Sequence, residues 1–149
     1  MQLATKYFGE IECDEEDILH FPGGLFGFEE EQKFVLLPFA GSGGTLLCLQ
    51  STVTSALAFV VMDPFALWPG YAPSLQAPDL KALGVEQGGD LGYYVLCVVK
   101  DPISESTVNL KCPVAINIQT RTARQVILEQ YEMRHLLSEF GPAGEGQSC

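Results

Sequence analysis

Between residues 33 and 62 the chain reads KFVLLPF, TLLCLQ and LAFVVM, three apolar runs parted by AGSGG and STVTSA. Each run is too short for a buried helix and rich in the β-branched and aromatic residues that suit a pleated surface, and each break carries turn chemistry. The same punctuation recurs along the chain. Strands are expected near residues 3–8, 17–21, 33–39, 45–50, 57–62, 92–99, 114–119 and 124–129. GSGG at 41–44 and DPISEST at 101–107 read as connections between them. Two segments look helical: APDLKALGV at 77–85, with Gly84 near its end, and EQYEMRHLLSEF at 129–140, whose Met133, Leu136, Leu137 and Phe140 recur at helical spacing. The regular strand–helix alternation of a parallel sheet is missing. The pattern predicts an all-β, mainly antiparallel fold, a small β-barrel-like single domain over residues 1–140 with one or two short helices. Residues 141–149, GPAGEGQSC, carry no apolar anchor and are expected to form a mobile tail. The proline-rich stretch 64–79, which holds the one tryptophan, reads as a loop at a sheet edge or barrel end.

A chain of 149 residues with 47% hydrophobic content has room for one core and belongs with globular proteins. No run approaches the roughly 18 apolar residues of a membrane helix, and MQLATKYFGE does not read as a signal peptide. A soluble, cytoplasmic protein is expected. Five cysteines, odd in number, widely spaced and without a C-x-x-C pair, point to reduced thiols. Cys48 and Cys97 sit inside apolar runs, as small core residues do. The charge of −11 is unevenly placed: residues 7–32 hold nine acids and no Lys or Arg, so −9 of it belongs to 26 residues. Residues 106–128 hold Lys111, Arg121 and Arg124 and no carboxylate. Phosphate backbones are bound by basic side chains, so direct nucleic acid binding is not expected. A basic protein partner would be attracted.

The residues offer little for catalysis. A nucleophilic cysteine needs a base, and the chain has only His20 and His135. Cys13 lies near His20, but the DEED run between them would raise the thiol pKa. No G-x-S-x-G elbow is present. Acids in residues 10–31 could form a carboxylate pair for general acid–base work, and a small barrel hydrolase using acidic residues is the alternative reading. Consecutive glutamates on a turn, however, usually form a solvated face. D-E-E-D at 14–17 lacks the order of a calcium loop, and the Cys and His residues make no zinc pattern. GSGGT and PGGLFG fit neither phosphate-binding fingerprint, and turn geometry explains their glycines. His20 reads as an edge histidine and His135 as a helix-end residue. No cofactor or metal is expected, and the chain reads as a binder.

Three blocks then resemble one family. F-x-G-G-L-x-G-F-E-x-x-x-x-F (Phe21 to Phe34), L-Q-S (Leu49–Ser51) with Ala58–Phe59, and T-V-N-L-K-C-P-V-A-I-N-I-Q (Thr107 to Gln119), followed by Gln125–Leu128 and Tyr131…Arg134, look like the flagellar assembly factor FliW. The resemblance runs from about Thr5 to Leu137 in family order. Phe26 stands where the family commonly has proline, and Cys48 where it often has tryptophan. Phe26 thereby adds an apolar ring that the surface could expose.

The resemblance implies a non-catalytic β-barrel-like protein with two alternative partners, flagellin and CsrA, a dimeric RNA-binding regulator of translation. Free protein binds CsrA and relieves repression of flagellin mRNA; accumulated flagellin holds it away. On the residues, Asp14, Glu15, Glu16 and Asp17, with Glu29, Glu30 and Glu31, are candidates to face basic surface on CsrA. Phe26, Trp68 and Tyr71 are candidates for a more apolar flagellin contact, since aromatics often anchor interfaces. Phe21, Phe28 and Phe34 read as core. A monomer is expected when free.

Overall fold

The computed structural model describes residues 2–41, 45–100, 102 and 105–137. Eleven strands and two short helices follow in order: β1 (Gln2–Ala4), β2 (Glu10–Glu12), β3 (Leu19–His20), β4 (Lys33–Pro38), β5 (Leu46–Ser51), β6 (Ala58–Met62), α1 (Pro64–Leu67), α2 (Ala77–Leu83), β7 (Gly92–Val98), β8 (Thr107–Val108), β9 (Val114–Asn117), β10 (Thr122–Gln125) and β11 (His135–Leu136). Seven strands close a ring in the order β7-β6-β5-β4-β3-β10-β9, and β9 returns to β7 through Gly92 opposite Ile116. The pairings are antiparallel except β3 with β10, which is parallel. The expected β-barrel is present. Closure leaves most strands without an open edge. β8 and β11 extend from β7 outside the ring.

Period-two alternation explains the layers. On β4, Phe34 and Leu36 join the barrel interior with Leu19, Leu49, Val61, Ile116 and Ala123, one or more from each neighbouring strand. Val35 and Leu37 point to the other face, where Leu3, Ile11, Cys13 and Ile18 cover them. The hairpin of β1 and β2, paired Leu3 opposite Ile11, is therefore a lid on the outside of β4. A third cluster lies outside β7 and β9, built on Tyr93, Val95 and Ala115 and roofed by Tyr71, Leu83 and Leu128. The connection from residue 63 to 91, with α1 and α2, supplies Tyr71 and Leu83, and the segment after β10 supplies Leu128.

Buried amides tie the covering pieces to the ring. Gln50, with no exposed surface, accepts from Lys6 N–H at 2.9 Å and donates to Ser55 and Leu57 carbonyls. Asn117 donates to the Leu83 carbonyl at 2.9 Å, holding the C-terminus of α2, where Gly84 turns the chain at φ 73°. Its other amide atom accepts from Gln119 and Thr120 N–H and shapes the β9–β10 turn. These polar groups sit where the family-like blocks L-Q-S and V-A-I-N-I-Q fall, so those blocks are structural.

Several expectations need correction. Residues 129–136 are not helical: Tyr131 is drawn onto Trp68 and Tyr71 at ring distances of 5.4 and 4.7 Å, and His135–Leu136 pair with β8. The apolar spacing there does not mark a buried stripe, for Met133 is 59% and Leu136 42% exposed. His135 lies in a strand and not at a helix end. β1 is half the expected length, and β2 arises in an acidic stretch that alternates E-I-E. β9 and β10 end earlier than the apolar runs. Residues 42–44, 101, 103–104 and 138–140, within the expected connections and helix end, and the whole expected tail 141–149 lie outside the described residues.

Candidate functional site

The glycine–phenylalanine stretch is a compact loop between β3 and β4. Phe21 N–H donates to the Gln32 carbonyl at 2.8 Å, closing its base. Phe28 N–H returns to the Leu25 carbonyl at 2.8 Å, making a tight inner turn. Gly24 takes φ 67°, and a Cβ there would lie 2.5 Å from the Phe28 and Glu29 carbonyl oxygens; no other residue fits. Phe21 and Leu25 fill the barrel, and Phe26 is left outside, 49% exposed. Phe34 is core as expected, but Phe28 is not: Leu25 takes the interior place, and Phe28, 40% exposed, stands edge-on to Phe59 at 5.3 Å.

The carboxylates fall into three situations. Asp14 to Asp17 form an exposed single-turn segment before β3, with Asp14 N–H donating to Asp17 Oδ2 at 3.2 Å. Glu29 is exposed and accepts from Gly27 N–H at 2.9 Å; Glu30 is exposed. Glu31 is half-buried and accepts from the Ser51 and Thr54 hydroxyls at 2.7 and 2.8 Å, so it braces the β5–β6 turn. β3 separates the DEED turn from the loop.

Tyr71 cannot serve as the expected surface contact. It is 3% exposed and its hydroxyl donates to the Leu110 carbonyl at 2.7 Å, with burial pushing the phenol well above its usual range. The loop turns it inward so that the ring can roof the outer core. Trp68 is half-buried against Tyr131, whose hydroxyl accepts from Ala72 N–H at 2.8 Å.

A groove of about 670 Å³ runs between the Pro22–Glu29 loop and α2, floored by β10 and the residues after it. It brings Phe26 and Glu29 together with residues that the sequence did not mark as contact candidates: Asp79, Arg124, Ile127 and Glu129. Arg124 Nε donates to Asp79 Oδ1 at 2.8 Å, bracing α2 against β10. Ile127 is 48% exposed, and Gln125 accepts from Phe26 N–H at 2.9 Å while donating to the Cys112 carbonyl. The signal available in sequence was Ile127 itself, an apolar residue whose neighbours Val126 and Leu128 are buried.

The thiols are poorly suited to nucleophilic work. Cys48, Cys97 and Cys112 are free thiols; burial pushes Cys48 up to about 11 and Cys97 up to about 12, away from the thiolate. No helix among the described residues is long and apolar enough to cross a membrane.

Fold and surface together define a small closed β-barrel protein that presents an acid-rimmed groove and charged turns outward. Its relatives are specific. The FliW protein family model matches residues 2–137, and the chain belongs to that family. It is 41% identical over 139 residues to the flagellar assembly factor FliW of Geobacillus thermodenitrificans (strain NG80-2), covering 92% of this chain and 95% of the relative. It is 37% identical over 146 residues to that of Shouchella clausii (strain KSM-K16), covering 97% and 99%. A crystal structure of the flagellar assembly factor FliW superposes with TM-score 0.85 at 40% identity, covering 92% of this chain and 96% of that one.

Proposed function

We propose that this chain acts in flagellum assembly as a cytoplasmic, non-catalytic binding protein, monomeric when free, with flagellin and CsrA as alternative partners. When flagellin leaves the cell, the freed protein binds CsrA and relieves repression of flagellin mRNA. When flagellin accumulates, it competes for the same pool. Family membership over nearly the whole chain is the observation that carries this reading. Two surface features support it: the outward DEED turn suits a basic protein surface, and exposed Phe26 suits an apolar contact.

The DEED turn acts electrostatically. Screening confines a surface charge to about 8 Å at physiological salt, so these carboxylates act only on groups docked beside them. Bound to CsrA next to its RNA path, they would add negative potential and disfavour phosphates. Reversal of Asp14, Glu15, Glu16 and Asp17 to lysine tests this by titration against CsrA over a range of salt. The expected outcome is weaker binding and a flatter salt dependence, with a loss of stability limited to the Asp14–Asp17 cap, about 1–2 kcal/mol, because all four are exposed. Unchanged affinity and unchanged slope would remove the turn from the mechanism.

A further inference from the structure

The groove has an unusual floor. β3 runs parallel to β10, and among the described residues the two meet at one register position, Thr122 opposite His20. His20 N–H donates to the Arg121 carbonyl at 2.8 Å. The next donor of a parallel ladder would come two residues on, from position 22, and Pro22 has no N–H. The ladder stops there for a covalent reason. Beyond it the chain leaves β3 and bends into the Gly24–Phe28 turn.

The other side of this segment stays paired. Val126 N–H donates to the Pro113 carbonyl at 3.0 Å, and Leu128 N–H to the Lys111 carbonyl. Main-chain groups of an extended chain alternate in direction, so those of Gln125 and Ile127 face the opposite edge, toward the groove, before the chain turns at Glu129. Along that edge no strand pairs among the described residues. A length of extended backbone inside a closed barrel is thus left with one open side, and that side is the floor of a groove. Its rims carry two exposed apolar side chains, Phe26 and Ile127. The ionisable residues lining it are Glu29, Asp79 and Glu129 against Arg124 alone, three negative charges to one positive.

We propose that this groove is a strand-addition site, taking an extended segment of a partner protein in which apolar and basic side chains alternate. The segment's backbone pairs with the Gln125–Ile127 edge. Its apolar side chains lie between Phe26 and Ile127, and its basic side chains meet Glu29 and Glu129. Open sheet edges recruit peptides in this way: main-chain hydrogen bonds hold the peptide and alternate side chains select it. Pro22 and the turn that follows keep the edge open. The inference does not depend on flagellin or CsrA, since any segment of this chemistry would serve.

The test uses the full chain and a labelled synthetic peptide of alternating valine and lysine, followed by fluorescence anisotropy and amide exchange. Saturable binding is expected, with slowed exchange at Gln125 and Ile127. Ile127→Arg, and Glu29→Lys combined with Glu129→Lys, should each weaken binding about tenfold or more, a loss of about 1.4 kcal/mol or greater. All three positions are exposed, so melting temperature should hold. A peptide of the same sequence with alternate backbone nitrogens methylated should fail to bind, although its side chains are unchanged. Equal binding of the methylated peptide, indifference to Ile127→Arg, or no saturable binding of the parent would each overturn the proposal. Concentration-dependent dimerisation abolished by Ile127→Arg would assign the edge to a second copy of this chain and would also overturn it.

Discussion

Gln50 shows how much of this molecule rests on single uncharged side chains. It joins the Lys6 main chain of the outer hairpin to the Ser55–Leu57 turn across the wall of the barrel. Gln50→Ala removes both partnerships and leaves the Ser55 carbonyl and Lys6 N–H short of partners, while the Leu57 carbonyl keeps Ser51 N–H, a cost of about 2–3 kcal/mol. Denaturant unfolding should report that loss, and a change under about 0.5 kcal/mol would contradict the role. Residue chemistry also fixes the alkaline limit. The Cys48 thiol rises from 9.0 to about 11 because burial disfavours its thiolate, an effect that nearby Lys6 opposes. Below pH 9 the thiol is protonated folded or unfolded and its contribution is complete. Above pH 9 the unfolded chain ionises first, so stability falls as pH approaches 11. Cys48→Ala should therefore lose melting temperature less steeply than the parent between those limits, and equal slopes would count against the burial argument. Sequence made Cys48 legible as core because it sits in an apolar run. Tyr71 was not legible: an aromatic in a proline-rich loop looks the same whether it turns out or in, and only the Leu110 carbonyl decides.

At the scale of elements, α2 is held at two ends by different means. Asn117, 6% exposed, bonds its last carbonyl, and the Asp79–Arg124 pair, with an arginine side chain 45% exposed, braces its start. An exposed ion pair contributes about 1 kcal/mol or less. A buried amide that leaves its partner unsatisfied costs about 1–3 kcal/mol when removed. Asp79→Asn should thus barely move the melting temperature, while Asn117→Ala lowers it clearly. The reverse order, measured by calorimetry, would contradict this division. Strands β4 to β7 could be read from their apolar runs because they are long, successive and antiparallel. β8 and β11 could not, being two-residue ladders that exist through contacts between distant segments. The expected final helix failed for the same reason: Tyr131 and the β8 edge offer tertiary partners that outweigh helical spacing. The groove was hidden because its two walls are some fifty residues apart in sequence.

For the whole molecule, closure of the ring buries the apolar faces and leaves function to what the loops present. That accounts for a chain whose family was readable from its turn and amide motifs while its contact surface was not: those motifs fix the scaffold, and the exposed residues beside them do not reveal their partners. The charge is concentrated on either side of β3, in the DEED turn and the Glu29–Glu30 corner, and both face solvent. On the proposed function, the scaffold binds flagellin and CsrA one at a time. Gel filtration of equimolar mixtures measures it directly. The chain should co-elute with CsrA and, separately, with flagellin, and added flagellin should move it out of the CsrA complex. Independent elution from both partners at micromolar concentrations would contradict the claim.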